Sequence, residues 1–425
     1  MTMPTGVLQI TALRALSRDG WLLFGTRFLR LFGYGVISVV LVLYLAVLGL
    51  SESRIGMLLT LTLVGDTIVS IVITTQADRL GRRRMLMVGA MLMIAGGMVF
   101  AVSDAFAVLL VAATVAVISP SGGEVGPFLS IEQAALSHIV PAERRTDIFA
   151  WYNLIGSVAT AFGALAGGMS ARIAAQYGLA NAASFRPALV GYAVIGGLLT
   201  MLFALLSPSI EVSQDVVDLP GKKDGSLLGL HRSRGIVFRL ATLFSLDAFG
   251  GGFVMQSILA YWLHIRFGMD AGKLGGVFLA ANLLAGVSAL LAGWLAKRIG
   301  LLNTMVFTHL PSNVLLILVP WMPTAEWAVA LLLMRFSISQ MDVPTRQAYT
   351  MAVVSPDERS AASGVTTVAR SLGAAISPAI AIRLIAIPSL ISVPFYLAGG
   401  IKIIYDLLLW RAFATHVPDE KPSVN

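Results

Sequence analysis

Stretches of about twenty apolar residues recur from one end of this chain to the other, each long enough to cross roughly 30 Å of hydrocarbon. Backbone N–H and C=O groups find no water in lipid, so a spanning segment must satisfy them within a helix or a closed barrel. Runs of this length read as helices. Composition agrees: of 425 residues, 57% are hydrophobic and 12% charged, about half the charged share usual in soluble domains. Mean hydropathy is +0.84. The first run begins near Trp21. It is too long for a signal-peptide core and is expected to be retained.

The formal net charge is +8. Its basic clusters, Arg82–Arg84, Arg144–Arg145, Lys222–Lys223, His231–Arg234 and Lys297–Arg298, fall in alternate loops. That is the positive-inside pattern, not a nucleic-acid surface. It places both termini and the central loop in the cytoplasm, with a cell inner membrane as the expected location. There is no cysteine, which excludes disulfides and thiolate chemistry. No G-x-x-x-x-G-K-S/T phosphate loop, H-E-x-x-H metal spacing or G-x-S-x-G elbow occurs, and the five histidines are scattered. The expectation is therefore no cofactor, no metal, no enzymatic activity and no nucleic-acid partner, in a monomer embedded in the lipid bilayer.

Apolar periodicity predicts spans 1 to 6 near 20–48, 53–77, 85–102, 105–136, 147–176 and 186–207. Spans 7 to 12 follow near 236–263, 271–296, 301–321, 325–352, 359–386 and 389–413. The halves match at a shift of about 215–219 residues: LFGYGVISVVLVLYL with AFGGGFVMQSILAYW, SRIGMLL with GKLGGVF, ADRLG with AKRIG, and VPAERR with SPDERS. A duplicated six-helix unit is how many secondary transporters are built. The predicted organisation is an all-α membrane protein of twelve spans: a bundle over 1–207, a cytoplasmic linker over 208–235 and a second bundle over 236–425.

The loop between spans 2 and 3 reads TTQADRLGRRRM. With the twelve spans and the central loop, it resembles the major facilitator superfamily, whose signature there is roughly G-x-x-x-D-R-x-G-R-R-R/K. Asp78, Arg79, Gly81, Arg82, Arg83 and Arg84 fit, while Thr74 stands where the family prefers glycine. The second-half echo, GWLAKRIG, keeps that glycine as Gly293 but has Lys297 in place of the aspartate. The resemblance implies gating for Asp78, Arg79, Gly81, Arg82 and Arg83, with Asp78 latching the outward-open state. A glycine-proline pattern that marks proton-driven antiporters in span 5 is degraded here to ATAFGALAGG, with Ala159 and Ala164 where glycine and proline are expected. The arginine that pattern places in span 4 is missing, its nearest counterpart being Arg335 in span 10.

Ten ionisable residues fall inside the predicted spans: Arg27, Arg30, Asp66, Glu124, Asp247, Arg335, Asp342, Arg370, Lys402 and Asp406. Each costs about 2.5–3.5 kcal/mol at the centre of a lipid-facing helix. Together that is about 30 kcal/mol, more than a folded domain's whole stability. They must face one another or a wet cavity. Lys402 and Asp406, four apart, read as a mutual pair, and Arg27, near a span end, as a snorkelling side chain. Arg370 reads equally as a contact between spans or with ligand. The duplication superposes Arg30 on Asp247, an opposed pair that can bind a charged substrate or form a salt bridge. Tyr34 shares the face of Arg27 and Arg30. Asp66 lies near mid-depth, where low dielectric disfavours the ionised form, as suits a proton carrier. A hydrogen-bonded structural aspartate is the alternative.

Span 4 is interrupted by ISPSGGEVGP, Ile118–Pro127. Prolines remove helix hydrogen bonds, and irregular backbone at membrane depth is tolerated beside protein or a water-filled cavity. The break is expected to line a translocation path with Glu124 facing it, and Asp342 as its approximate counterpart in span 10. The other possibility is an interfacial loop with Glu124 in water. The combined reading is a secondary transporter that moves a small molecule by alternating access. Its look resembles the drug and metabolite efflux branch, coupled to protons or another cation through Asp66, Asp247 and Glu124. The competing readings are an organic-anion or phosphate-like solute transporter using Arg30 and Arg335, and a non-transporting receptor or scaffold.

Overall fold

The computed structural model describes residue 13 and residues 16–124, 126–141, 144–211, 230–355 and 358–414. Every regular element among them is helical. Spans 1 to 3 are α1 (Arg18–Val47), α2 (Glu52–Leu80) and α3 (Arg82–Val102). Span 4 is two short helices, α4 (Phe106–Val115) and α5 (Phe128–Ile139). Spans 5 and 6 are α6 (Arg145–Gln176) and α7 (Arg186–Ala204). Span 7 is α8 (Arg234–Gly252) and α9 (Gln256–Phe267), separated by a break at 253–255 that the apolar pattern did not foretell. Spans 8 and 9 are α10 (Ala271–Ile299) and α11 (Leu301–Leu318). Span 10 divides into α12 (Ala325–Ser339) and α13 (Asp342–Ala352), and α14 (Arg359–Ile385) and α15 (Val393–Phe413) complete the chain. Ten segments of the described residues are long and apolar enough to cross a membrane; the broken spans 4 and 10 make twelve.

Two compact units form. The first is drawn from Met1–Pro220 with Met255–Leu283, the second from Gly221–Val254 with Leu284–Asn425. In the first, α1 packs along α6 and α3 along α7. In the second, α8 packs along α14 and α11 along α15. These are the same pairings in repeat terms, span 1 with 5 and 3 with 6, then 7 with 11 and 9 with 12. The first unit also takes in α9, which docks on α1. Gln256 there donates to the Ser38 hydroxyl at 2.7 Å and accepts from Asn282 at 3.1 Å.

The ATAFGALAGG stretch of α6 is a packing seam. A Cβ on Gly163 would overlap the carbonyl oxygen of Phe32 on α1, so the two backbones touch only because glycine has none. Such approaches are how helices associate where lipid gives no hydrophobic drive. Between α2 and α3, Gly81 turns the chain with φ +100°. The start of α8 is held by Glu358, which accepts hydrogen bonds from the amides of His231, Arg232 and Ser233, the last two at 2.7 Å. This is the glutamate of SPDERS in the internal repeat. Its first-half equivalent, Glu143, lies outside the described residues.

Two predictions follow from this packing. Gly163→Ala is expected to lower the thermal midpoint of the purified protein, by the equivalent of about 1–3 kcal/mol of overpacking. Gly197→Ala, with open space around it, leaves the midpoint unchanged or raises it, since alanine is the better helix former. For Glu358, burial pushes the carboxyl up, but hydrogen bonds from the Ser233 side chain and the three amides outweigh it and hold the group at about 2, below its ordinary 4.5. A depressed carboxyl stabilises the fold above the unfolded value and ceases to do so as pH falls through the folded one. Wild-type stability should thus decline between about pH 4.5 and 2. Glu358→Gln should be less stable at neutral pH and lose less over that window, as read by thermal midpoints across a pH series.

Candidate functional site

The charges that the sequence places in the membrane gather into two clusters, one in each unit. In the first, Arg30 on α1 is fully buried and clamps Glu132 on α5 with both terminal nitrogens, each at 2.7 Å. This planar fork on a carboxylate is the strongest geometry available to the pair. Arg30 also reaches Glu124 at 3.3 Å and lies over the Phe128 ring, 4.8 Å from its centre. Arg27 bonds Glu124, donates to Asn153 at 3.1 Å and covers the Tyr152 ring at 4.3 Å. Glu132 takes further hydrogen bonds from Tyr152 and, at 2.9 Å, from Thr26. Two arginines meet two glutamates, and these four charges balance. Tyr34, one turn beyond Arg30, is fully buried.

The interruption of span 4 produces this arrangement. Residues 116–124, 126 and 127 leave the helix, with Gly122 at φ +71° and Gly126 at φ +79°. Neighbouring helices satisfy the freed carbonyls: Pro120 accepts from the Ser257 amide at 3.2 Å, and Gly122 from the Thr160 hydroxyl at 3.3 Å. Ser119 and Pro120 are buried. Glu124 keeps 20% of its side chain exposed and is paired with two arginines.

In the second unit, Asp247 on α8 meets Lys402 of α15 at 2.6 Å, Arg346 of α13 at 3.2 Å and the His309 ring of α11 at 3.8 Å. Asp342 pairs with Arg346 at 2.8 Å. Asp406 accepts from Asn313 at 3.1 Å and lies 2.8 Å from the other His309 nitrogen. Arg370 and Arg335 join the same electrostatic field. The expected Lys402–Asp406 pair does not form: the lysine reaches across to α8, and His309 takes its place beside Asp406. Arg27 does not snorkel either, being 5% exposed and ion-paired. Arg30 and Asp247 are not each other's counter-charge; each is neutralised inside its own unit.

Glu132, Arg346 and His309 were missed from the sequence because they lie toward span ends or among scattered histidines. The duplication held the signal. Aligning QAAL with QAYT superposes Glu132 on Arg346, just as the first spans of each half superpose Arg30 on Asp247. The ion pair Arg30–Glu132 thus recurs as Asp247–Arg346 with its charges exchanged.

Asp66 stands apart. Gly65 before it packs against the Thr114 carbonyl at the end of α4. One Asp66 carboxylate oxygen is sealed from solvent without a hydrogen-bond partner, and no cation of the described residues pairs with it. In the motif between α2 and α3, Arg82 donates its amide to Glu211 at 2.6 Å and a guanidinium nitrogen to the Ile210 carbonyl at 3.1 Å. Arg83 reaches Glu211 at 3.2 Å and the Leu206 carbonyl at 3.2 Å. Both tie the start of α3 to the segment after α7. Arg79 is exposed in the last turn of α2. Asp78 lies in that turn, and its side chain is outside the described residues.

Comparison with known proteins agrees with this architecture. The chain is 29% identical over 421 residues to an uncharacterised membrane protein of Saccharomyces cerevisiae, covering 92% of this chain and 93% of that one. Its structure is similar to a variant of the nucleoside transporter NupG, with TM-score 0.73, 12% identity, and coverage of 93% of this chain and 100% of the other. It is also similar to a D-xylose-proton symporter, with TM-score 0.71, 17% identity, and coverage of 92% and 97%. At these identities the structural likeness is one of fold. Residues 23–378 match the family model of the Major Facilitator Superfamily, and the chain belongs to that family.

Proposed function

We propose that this protein is a secondary active transporter that carries a small molecule across the membrane by alternating access, with protons as the coupling ion. Asp66 is the observation that carries the reading. Glu124, Glu132, Asp247, Asp342 and Asp406 each face a basic side chain; Asp66 has none among the described residues. An ionised carboxylate sealed in a membrane interior without a cation is a costly arrangement, and a bound proton removes that cost. A carboxyl with one oxygen sealed and no paired cation in one conformation, and which meets water in another, couples a proton to the conformational change.

The direction we propose is export of drug-like or metabolite solutes, supported by the resemblance of the gating motif to the efflux branch. The positive-inside pattern supports cytoplasmic termini. Arg82 and Arg83 serve as the gate's fixed arm, since Glu211 and the carbonyls near it anchor them. Glu124 and Asp247 belong to this reading as ion pairs that a proton or a substrate opens. The share of Arg30 in an anion-transport reading is reduced by its bidentate hold on Glu132.

The test uses proteoliposomes carrying an imposed pH gradient and a panel of metabolite and drug-like solutes. Wild-type protein is expected to accumulate at least one solute against its gradient while releasing the proton gradient. Asp66→Asn should retain solute exchange at zero gradient, yet lose roughly 5- to 150-fold in gradient-driven accumulation, the range of typical coupling free energies. Equal gradient-driven transport by both proteins contradicts proton coupling through Asp66. No flux of any solute favours a receptor or scaffold.

A further inference from the structure

The second unit holds a buried guanidinium that no carboxylate of the described residues pairs with. Arg346 and Lys402 each meet a carboxylate. Arg335, near the end of α12, is 8% exposed and makes no hydrogen bond or ion pair among the described residues. Its Nε is sealed without an acceptor, and its recorded contact is with the ring of its neighbour Phe336, 5.1 Å away. One turn further, Ser339 is 4% exposed and its hydroxyl also lacks a partner. Residues four apart share a helix face, so two buried, unmet donors stand one above the other. They do so where α12 ends and span 10 breaks.

The local charges point the same way. Asp247, Asp342 and Asp406 share one field with Lys402, Arg346, Arg370 and Arg335, so lysine and arginine outnumber carboxylates there by four to three. Burying a guanidinium without a counter-charge is strongly unfavourable. A guanidinium presents a planar fork matched to carboxylate or phosphate, and the serine hydroxyl adds a further donor.

We propose that Arg335 and Ser339 form a subsite for one anionic group, a carboxylate or phosphate, on the transported solute. This deepens the transporter reading above by naming the substrate class, organic anions, and it depends on that reading. An anionic lipid headgroup offers the same chemistry, so the experiment has to separate the two sources.

Full-length protein in neutral detergent, with no pH gradient, is titrated with benzoate, inorganic phosphate or phosphatidylglycerol at constant ionic strength. Its melting midpoint is followed by tryptophan fluorescence, since a ligand of the folded state raises it. Benzoate or phosphate is expected to raise the wild-type midpoint saturably. Apparent affinity should fall roughly tenfold or more in Arg335→Gln and less in Arg335→Lys and Ser339→Ala. Without ligand, Arg335→Gln should be at least as stable as wild type, because an unmet buried charge has been removed. Three results would overturn the proposal: Arg335→Gln is less stable than wild type when unliganded, which means a structural partner; neither solute gives stabilisation that depends on Arg335; or phosphatidylglycerol alone does, which makes this a lipid site. Should Arg335→Gln not fold, Ser339→Ala and Arg335→Lys decide the matter by the same affinities. Since no gradient is present, failure here leaves proton coupling through Asp66 standing, and the reverse also holds.

Discussion

The first bundle depends on the fork between Arg30 and Glu132, both completely buried. Neither charge could stay in a membrane interior alone, for the loss of either partner leaves an uncompensated ion in low dielectric. The surroundings of the pair follow from that requirement. Tyr152 and Thr26 occupy the remaining lone pairs of Glu132, and the Phe128 ring covers the guanidinium. The interruption of span 4 brings Glu124 against the second arginine of the helix. The break therefore acts as a device for delivering a carboxylate, with two of its carbonyls met by Ser257 and Thr160.

The second bundle solves the same problem with the signs exchanged, Asp247 standing where Arg30 stands and Arg346 where Glu132 stands. A duplicated unit can tolerate such an exchange because the pair energy depends on opposite charge and not on which helix carries which sign. Beside the pairs, each unit holds a polar group with a sealed, unpartnered atom: the Asp66 carboxylate in the first and the Arg335 guanidinium in the second. The paired charges hold the structure, and the unpaired ones are where a proton and an anion can enter the energetics. The proposed proton coupling and the proposed anionic substrate class rest on these two groups.

Much of the fold was legible because lipid imposes a strict rule on backbone hydrogen bonds, so the length of apolar runs carries the topology and the repeat carries the pairing of helices. Breaks marked by proline and glycine, such as SPSGGEVGP, could be read. The break at 253–255 could not, although the three glycines at 250–252 announce weakened helix there. Partner choice was the less legible part. Lys402 and Asp406 have ideal local spacing, yet a lysine side chain is long enough to reach Asp247 on another helix, where the counter-charge is more deeply needed. Arg27 looked like a residue at a span end because depth was judged along one helix, without the glutamate that the span 4 interruption brings to it. Glu132 could have been found by asking which residue the repeat places opposite Arg346.

The most direct measurement of the central claim, that each bundle neutralises its own buried charges, is a charge-exchange cycle at the first pair. Arg30→Glu, Glu132→Arg and the double variant are compared for folded yield and thermal stability. Each single reversal should cost about 3–5 kcal/mol or abolish folding, and the double variant, which copies the order found at Asp247 and Arg346, should recover a substantial part of the loss. Single variants as stable as wild type, or a double variant no better than the worse single, would contradict the account.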